Sequence, residues 1–231
     1  MFYFPNTRKP DFKKIKSIDY NHYWRERGFA LHKNLRERDI IILDLVPVNS
    51  KILDVGCGNS RLPVALKDKG CNVAVADISG EVLKGYSQFG INGVVLDLEK
   101  IDQFKSSLNS YDYIILSEVL EHTKNPEEIV TFLLQYTNNF LITIPNSAFY
   151  RYRFHLMFGG RFFTQWVYHP SEHLRFWSHI DFVDWLSAMN LHLIRAEVSN
   201  GFTLFGFLPW LKNWWPNLFG HQIVYFCSVK R

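Results

Sequence analysis

The sequence predicts an α/β fold, a three-layer sandwich in which a seven-stranded, mostly parallel sheet is flanked by helices. Three observations predict it. Runs of β-branched and small residues recur along the chain, and they are mainly apolar, as suits strands buried on both faces of a parallel sheet. The first run, Ile52-Leu53-Asp54-Val55, passes straight into Gly56-Cys57-Gly58-Asn59, a turn pinned by glycines. Successive runs end in polar residues, and the crevice outside the carboxyl ends of the strands is where open sheets of this kind collect ligands.

Taken in order, residues 1–50 read as helices that precede the first strand, with Tyr23-Trp24 in one and Leu31 to Arg38 in the next. The glycines of the following turn let the backbone take conformations closed to other residues, and the helix start beyond offers free N–H donors to a nucleoside ligand. In a dinucleotide fingerprint a third glycine would stand at Arg61. A bulky cation there argues against pyrophosphate binding, whereas Asp54, two residues before Gly56, suits a ligand with an amino group.

A second strand, Asn72 to Asp77, ends in an acid at the interval where Rossmann-like folds place a ribose-binding carboxylate; Asp77 can accept both hydroxyls, with Ile78 beside it. A third, Gly93 to Leu96, ends at Asp97-Leu98. The fourth is Tyr111 to Ser117 and the fifth Asn139 to Ile144. Each acid also has a plainer role open to it, Asp77 as a helix cap and Asp97 in a turn.

From Phe149 to Trp177 the chain becomes dense in aromatic and basic residues, including Arg161-Phe162-Phe163. The fold needs only a connection there, so the segment reads as an insertion that builds a substrate pocket or its lid. Asp181 to Leu186 resumes helical periodicity. Leu191 to Ile194 and Gln222 to Cys227 read as strands six and seven, closing the sheet with an antiparallel edge. Between them, residues 201–220 carry Phe205, Trp210, Lys212, Trp214 and Trp215, which suit a membrane interface, a cleft cover or a subunit contact; Pro209 interrupts any continuous helix.

At 231 residues one domain is the natural count. A content of 47% hydrophobic and 21% charged residues excludes a disordered chain. Cys57, Cys71 and Cys227 lie far apart without metal spacing, which points to a reducing cytoplasm, and Cys57 reads as a small filler of the turn. Met1-Phe2-Tyr3-Phe4-Pro5 lacks the form of a secretion signal, and no run reaches the length of a membrane helix. A net charge of +4 favours anionic partners only mildly and falls short of a dedicated nucleic-acid binder.

The Asp54-x-Gly56-x-Gly58 string resembles motif I of the class I S-adenosylmethionine-dependent methyltransferases. The resemblance implies that Asp54, Gly56 and Gly58 hold the amino-acid end of S-adenosylmethionine, Asp77 and Ile78 the ribose side, and Asp97 and Leu98 the adenine, with Ser117 at the end of the fourth strand completing the cofactor contacts. Arg36, preceded by Leu31-His32, resembles the arginine that meets the cofactor carboxylate in ubiquinone-biosynthesis O-methyltransferases, where a guanidinium can pair bidentately. A solvated charged face, with Glu37, Arg38 and Asp39, is the other reading.

On a helix, Glu118, Glu121 and His122 would share one side by the i, i+3, i+4 rule. This Glu-x-x-Glu-His string resembles the ubiquinone-type enzymes and also the metal-dependent small-RNA 2′-O-methyltransferases, in which such residues with a downstream histidine, here His173, gather a divalent cation. Carboxylates with imidazole suit Mg²⁺, Mn²⁺ or Zn²⁺. Without metal, His122 assisted by Glu121 could serve as general base. As a third choice, Glu118 favours a helix start and the others face solvent.

Further on, Ile144-Pro145-Asn146, Arg151 with Arg153, Gly160-Arg161, His173-Leu174 and Asp181-Phe182 recur in MetW-type methionine-biosynthesis proteins. That family lacks the Glu-x-x-Glu-His acids, and this chain lacks the usual Pro-Gly-Gly before the fifth strand. The expected function is methyl transfer from S-adenosylmethionine to an oxygen of a small acceptor. A non-catalytic S-adenosylmethionine-binding partner or sensor and an RNA methyltransferase are the alternatives, and a dehydrogenase is a distant fourth.

Overall fold

The computed structural model describes residues 19–27, 30–104, 109–160, 173–203 and 207–229. Seven strands form one sheet: β1 (Lys51–Val55), β2 (Asn72–Asp77), β3 (Asn92–Val95), β4 (Tyr113–Ser117), β5 (Asn139–Pro145), β6 (Leu191–Gly201) and β7 (Gly220–Val229). Their order is β3-β2-β1-β4-β5-β7-β6. The first five run parallel, β7 is antiparallel to β5, and β6 pairs antiparallel with β7. The order reverses between β1 and β4, and at such a switch point the connections leave a crevice open above the strand ends.

Strand alternation divides the core in two. Leu53, Val55, Leu116, Ile142 and Phe182 meet on one face, where α5 (Pro126–Leu133) and α7 (His179–Ala188) cover the sheet. Ile52, Val73, Val75, Ile115 and Val224 meet on the other, beneath α2 (Glu37–Leu45), α3 (Leu62–Asp68) and α4 (Gly80–Ser87). Because both faces are covered, β1, β4 and β5 read as mainly apolar runs, interrupted by Asp54 in β1 and Thr143 in β5. A capping box starts α7: Ser178 Oγ accepts from Asp181 N at 3.1 Å and Asp181 accepts from Ser178 N at 3.1 Å.

The expected elements are present with shifted ends. No helix spans Leu31 to Arg38. There α1 (Tyr20–Arg27) is followed by a loop whose Ala30 carbonyl accepts from Asn59 Nδ2 and whose His32 N donates to Asn59 O, tying the leading segment to the glycine turn. Helix α2 begins only at Glu37, where Asp39 accepts from Arg36 N at 3.0 Å. Strand β6 continues well past Ile194, because an edge strand has one open side and its outer half, with Arg195 paired to Glu197 at 2.6 Å, is not apolar.

In the aromatic insertion, α6 (Tyr150–Gly159) ends on Gly160 in the left-handed conformation, and Asn146 bridges to Trp177. The rest of that stretch, with Arg161, Phe162 and Phe163, lies outside the described residues, as do Phe205 and residues 1–18. Two single turns, α8 (Leu211–Trp214) and α9 (Pro216–Phe219), occupy the 201–220 segment. Among the described residues no helix is long and apolar enough to cross a membrane.

Candidate active site

A cavity of about 320 Å³ opens at the carboxyl ends of β1, β2, β3 and β4. Its floor is Val55, Gly56 and Gly58, one wall carries Asp77, Ile78, Asp97 and Leu98, and Tyr20, Tyr23 and Trp24 of α1 lie across it. The two glycines are needed for different reasons. Gly56 has φ +69°, and a Cβ there would stand 2.6 Å from Val119 Cγ2. Gly58 has φ +50°, but its Cβ would meet the Trp24 ring at an ordinary 3.6 Å.

Asp77 is buried, and its two oxygens accept from Gly58 N at 3.0 Å and Ser79 N at 2.9 Å. One carboxylate thus ties the glycine turn to the start of α4. Burial raises its pKa, and the hydrogen bonds from Ser79 and Gly58 hold it back. Asp97 accepts from Glu99 N at 3.1 Å, pairs with Lys100 at 3.4 Å, and stands on the cavity wall. Both acids thus hold local backbone N–H groups while standing on the cavity wall.

Three expected cofactor residues stand elsewhere. Asp54 points with Ile52 to the α2 side of the sheet, where it is buried with Oδ1 unpartnered, and burial followed by Asp39 and Asp77 pushes its carboxyl well above the usual range. Ser117 Oγ lies 3.0 Å from Thr143 Oγ1 and links β4 to β5. Arg36 is the exposed cap of α2, against the His32 imidazole. The arginine carried inward is Arg38, 8% exposed, with Nη1 3.2 Å from Gln222 Oε1 and 3.8 Å from Glu118 Oε2.

The expected helix through Glu118, Glu121 and His122 is corrected. Glu118 has φ +59°, a left-handed residue that stops β4 and forbids a helical run, and only Leu120–His122 form a short 3₁₀ turn. Glu118 therefore leaves the expected ligand set. Its carboxylate accepts from Gln222 Nε2 at 2.9 Å, beside Arg38, while lining the cavity. Burial raises its pKa, and Arg38 and Arg36 oppose the rise.

Glu121, His122 and His173 do come together, each offering a ligand atom within 4.8 Å of the others. The rings of His122 and His173 meet edge to face at 4.6 Å. The Glu121 backbone carbonyl accepts from Leu174 N at 2.7 Å and Arg175 N at 3.2 Å, which docks His173 onto the turn. Burial, then Glu118, drives the Glu121 carboxyl well above its ordinary range. Burial, then His122, lowers His173 to about 4.

Residues 36–227 match the family model described as methionine biosynthesis protein MetW. The chain belongs to the MetW family. Over 174 residues it is 28% identical to the bifunctional methionine biosynthesis protein MetXA/MetW of Rhodopirellula baltica, covering 68% of this chain and 27% of that one. To the ubiquinone biosynthesis O-methyltransferase of Rickettsia typhi it is 28% identical over 144 residues, 57% of either chain. It thus spans about a quarter and somewhat over half of these relatives' lengths. Among solved structures, a TehB-like S-adenosylmethionine-dependent methyltransferase of Corynebacterium glutamicum matches with TM-score 0.56 at 18% identity, covering 91% of this chain and 96% of that one. Magnesium protoporphyrin IX methyltransferase of Synechocystis, solved with bound S-adenosylmethionine, matches with TM-score 0.57 at 12% identity, covering 91% of each. This MetW-family chain has the class I methyltransferase fold.

Sequence reasoning missed two polar residues of this MetW-family site, Arg38 and Gln222. Arg38 reads as one more charge on a surface helix, and Gln222 as the polar start of a strand. Their meeting across 184 positions leaves no local signal. Cys57, as expected, is a buried filler, its thiol pushed well up by burial.

Proposed function

We propose that this protein is an S-adenosylmethionine-dependent methyltransferase acting on an oxygen of a small acceptor with a substantial apolar body. The observation that carries the reading is the cavity at the switch point, with a glycine floor shaped by Val119 and one acid at the end of each of β2 and β3. The residues on the cavity wall fit the cofactor: Asp77 would accept ribose hydroxyls beside its two backbone N–H groups, Asp97 would accept from an amino group, and Ile78 and Leu98 offer apolar surface. We assign the amino-acid end to Glu118 rather than to Asp54 or Arg36. Glu118 lines the cavity and keeps Oε1 unpartnered, the complement of an ammonium group, with Arg38 and Gln222 holding its other oxygen. When bound, the cofactor supplies a methyl on a sulfonium sulfur that needs only positioning for in-line displacement.

The reading predicts that S-adenosylhomocysteine binds one to one in a calorimetric titration, and that labelled methyl passes to phenolic or carboxylic acceptors in a form extractable into organic solvent. Binding without transfer to any such acceptor would favour the sensor alternative. Absence of binding removes the assignment.

The apolar body of the acceptor is inferred from a strip of aromatic rings that lies outside the cavity lining. Ring contacts run from Phe158 through Phe154 and Tyr150 to Phe219, Trp215, Trp214 and Trp210. Trp214 is 67% and Phe158 66% exposed, and exposed Arg151 and Arg153 lie beside them. Trp and Phe with flanking cations suit the headgroup boundary of an anionic bilayer. Phosphatidylglycerol vesicles should therefore carry the protein upward in a flotation gradient, and the double substitution Trp210→Ala, Trp214→Ala should reduce the bound fraction several-fold. Equal recovery of both proteins at the bottom of the gradient rejects the bilayer contact.

A further inference from the structure

Residues at i, i+3 and i+4 of a helix share one face, and in α1 those positions are Tyr20, Tyr23 and Trp24. Asp19 holds the start of this helix: its side chain accepts from His22 N at 3.1 Å and its carbonyl from Tyr23 N at 2.9 Å. All three rings line the cavity. Tyr23 and Trp24 stand at 85° with ring centroids 5.2 Å apart, and Tyr20 meets Tyr23 at 61° and 6.4 Å. Two rings near a right angle make a corner, and a cation seated in it meets the negative faces of both. Of the three, Trp24 also packs against the core on the α2 side of the sheet. The opposite walls are acidic. Asp77, Asp97, Glu99 and Glu118 contribute carboxyl groups, and among the described residues no lysine or arginine lines the cavity. Lys100 and Lys124 pair with Asp97 and Glu99 from outside the lining. Aromatic faces across from carboxyl groups suit a ligand that carries positive charge.

We infer that the Tyr20, Tyr23 and Trp24 rings read the positive charge on the sulfonium sulfur and so distinguish S-adenosylmethionine from its neutral product, a role that rests on the methyl-transfer reading of the cavity. With the amino-acid end at Glu118 and the ribose at Asp77, the sulfur, bonded to both portions, comes between them above the glycine floor. Trp24 stands over that floor. A Cβ on Gly58 would meet Trp24 Cζ2 at 3.6 Å, and Gly58 N donates to Asp77 at 3.0 Å. In the transfer the bond from sulfur to the methyl carbon breaks and its electron pair stays on sulfur, while the acceptor oxygen bonds the carbon and its proton leaves to water. The sulfur ends neutral, and the attraction of the rings is lost at the same step. The corner thus holds the charged reactant and lets the neutral product go.

The test titrates the full chain separately with S-adenosylmethionine and S-adenosylhomocysteine in a calorimeter and takes the ratio of the two dissociation constants. Trp24→Leu and Tyr23→Leu each replace a ring by an apolar side chain without one. In each, the preference for S-adenosylmethionine over S-adenosylhomocysteine should fall by about 10-fold, the size of one desolvated cation–π contact. A ring that served only to pack α1 would, when removed, weaken both ligands alike. Tyr23→Phe keeps the ring and should keep the parent's ratio; a ratio as low as that of Tyr23→Leu would assign the discrimination to the hydroxyl and overturn the corner. Circular dichroism reports whether each variant folds, and Tyr23→Leu decides alone if Trp24→Leu, which loses a core contact, does not. An unchanged ratio in a folded leucine variant rejects the corner and leaves the methyl-transfer reading in place. A parent chain that binds neither ligand removes that reading and the corner with it.

Discussion

Gly56→Ala is expected to lower folding stability by about 2–4 kcal/mol, combining the cost of a side chain at positive φ with that of overpacking. The backbone there has φ +69°, and the added methyl would fall 2.6 Å from Val119 Cγ2. The glycine cannot retreat, since its N–H donates to Ala76 O at 2.7 Å and Val55 before it is part of β1. Urea denaturation followed by circular dichroism measures the loss. Two companions separate its parts. Val119→Ala in the Gly56→Ala background should recover the clash but not the conformational strain, and Gly58→Ala, which meets only the Trp24 ring at 3.6 Å, should cost about 1–2 kcal/mol from strain alone. Equal losses at the two glycines would show that Val119 is not what requires Gly56.

Asp77→Ala should reduce the affinity for S-adenosylhomocysteine about 100-fold, or ~2.7 kcal/mol, the range for losing charge-assisted hydrogen bonds. The effect has two sources. A ribose loses its acceptor, and Gly58 N and Ser79 N lose theirs, so the glycine floor and the start of α4 come apart at the cavity itself. Asp97→Ala should cost less, about 10-fold, because Asp97 answers to a single backbone N–H and an exposed lysine. Titration calorimetry of both variants, each first shown by circular dichroism to be folded at the titration temperature, gives the comparison. Parent-like affinity in Asp77→Ala would mean that the crevice at β1 and β2 is not where a nucleoside sits.

The parts of this site legible in the sequence are those built from contiguous residues. The turn Gly56-Cys57-Gly58 and the acids at the ends of β2 and β3 could be found because strand, turn and acid follow one another along the chain. The capping box of α7 is readable for the same reason. Arg38 was not, because a buried arginine and an exposed one look alike in a charged helix, and its partners Glu118 and Gln222 come from two other elements. The Glu-x-x-Glu-His string misled through an assumption of helix: periodicity places Glu118 with Glu121 only if the backbone stays right-handed, and at Glu118 it does not.

By itself the sequence determined the class of fold, the order of its elements and the place of the crevice, because covering a parallel sheet on both faces imposes predominantly apolar strands and gathers most polar groups at their ends. The tertiary structure decided which charged side chains face inward. It buried Asp54 on the α2 side of the sheet, left Arg36 on the surface, brought Arg38 to Glu118, and set His173 beside Glu121 and His122. The physical reason is that burial of a charge depends on partners from distant elements, whose meeting is settled by packing and is written in no local pattern.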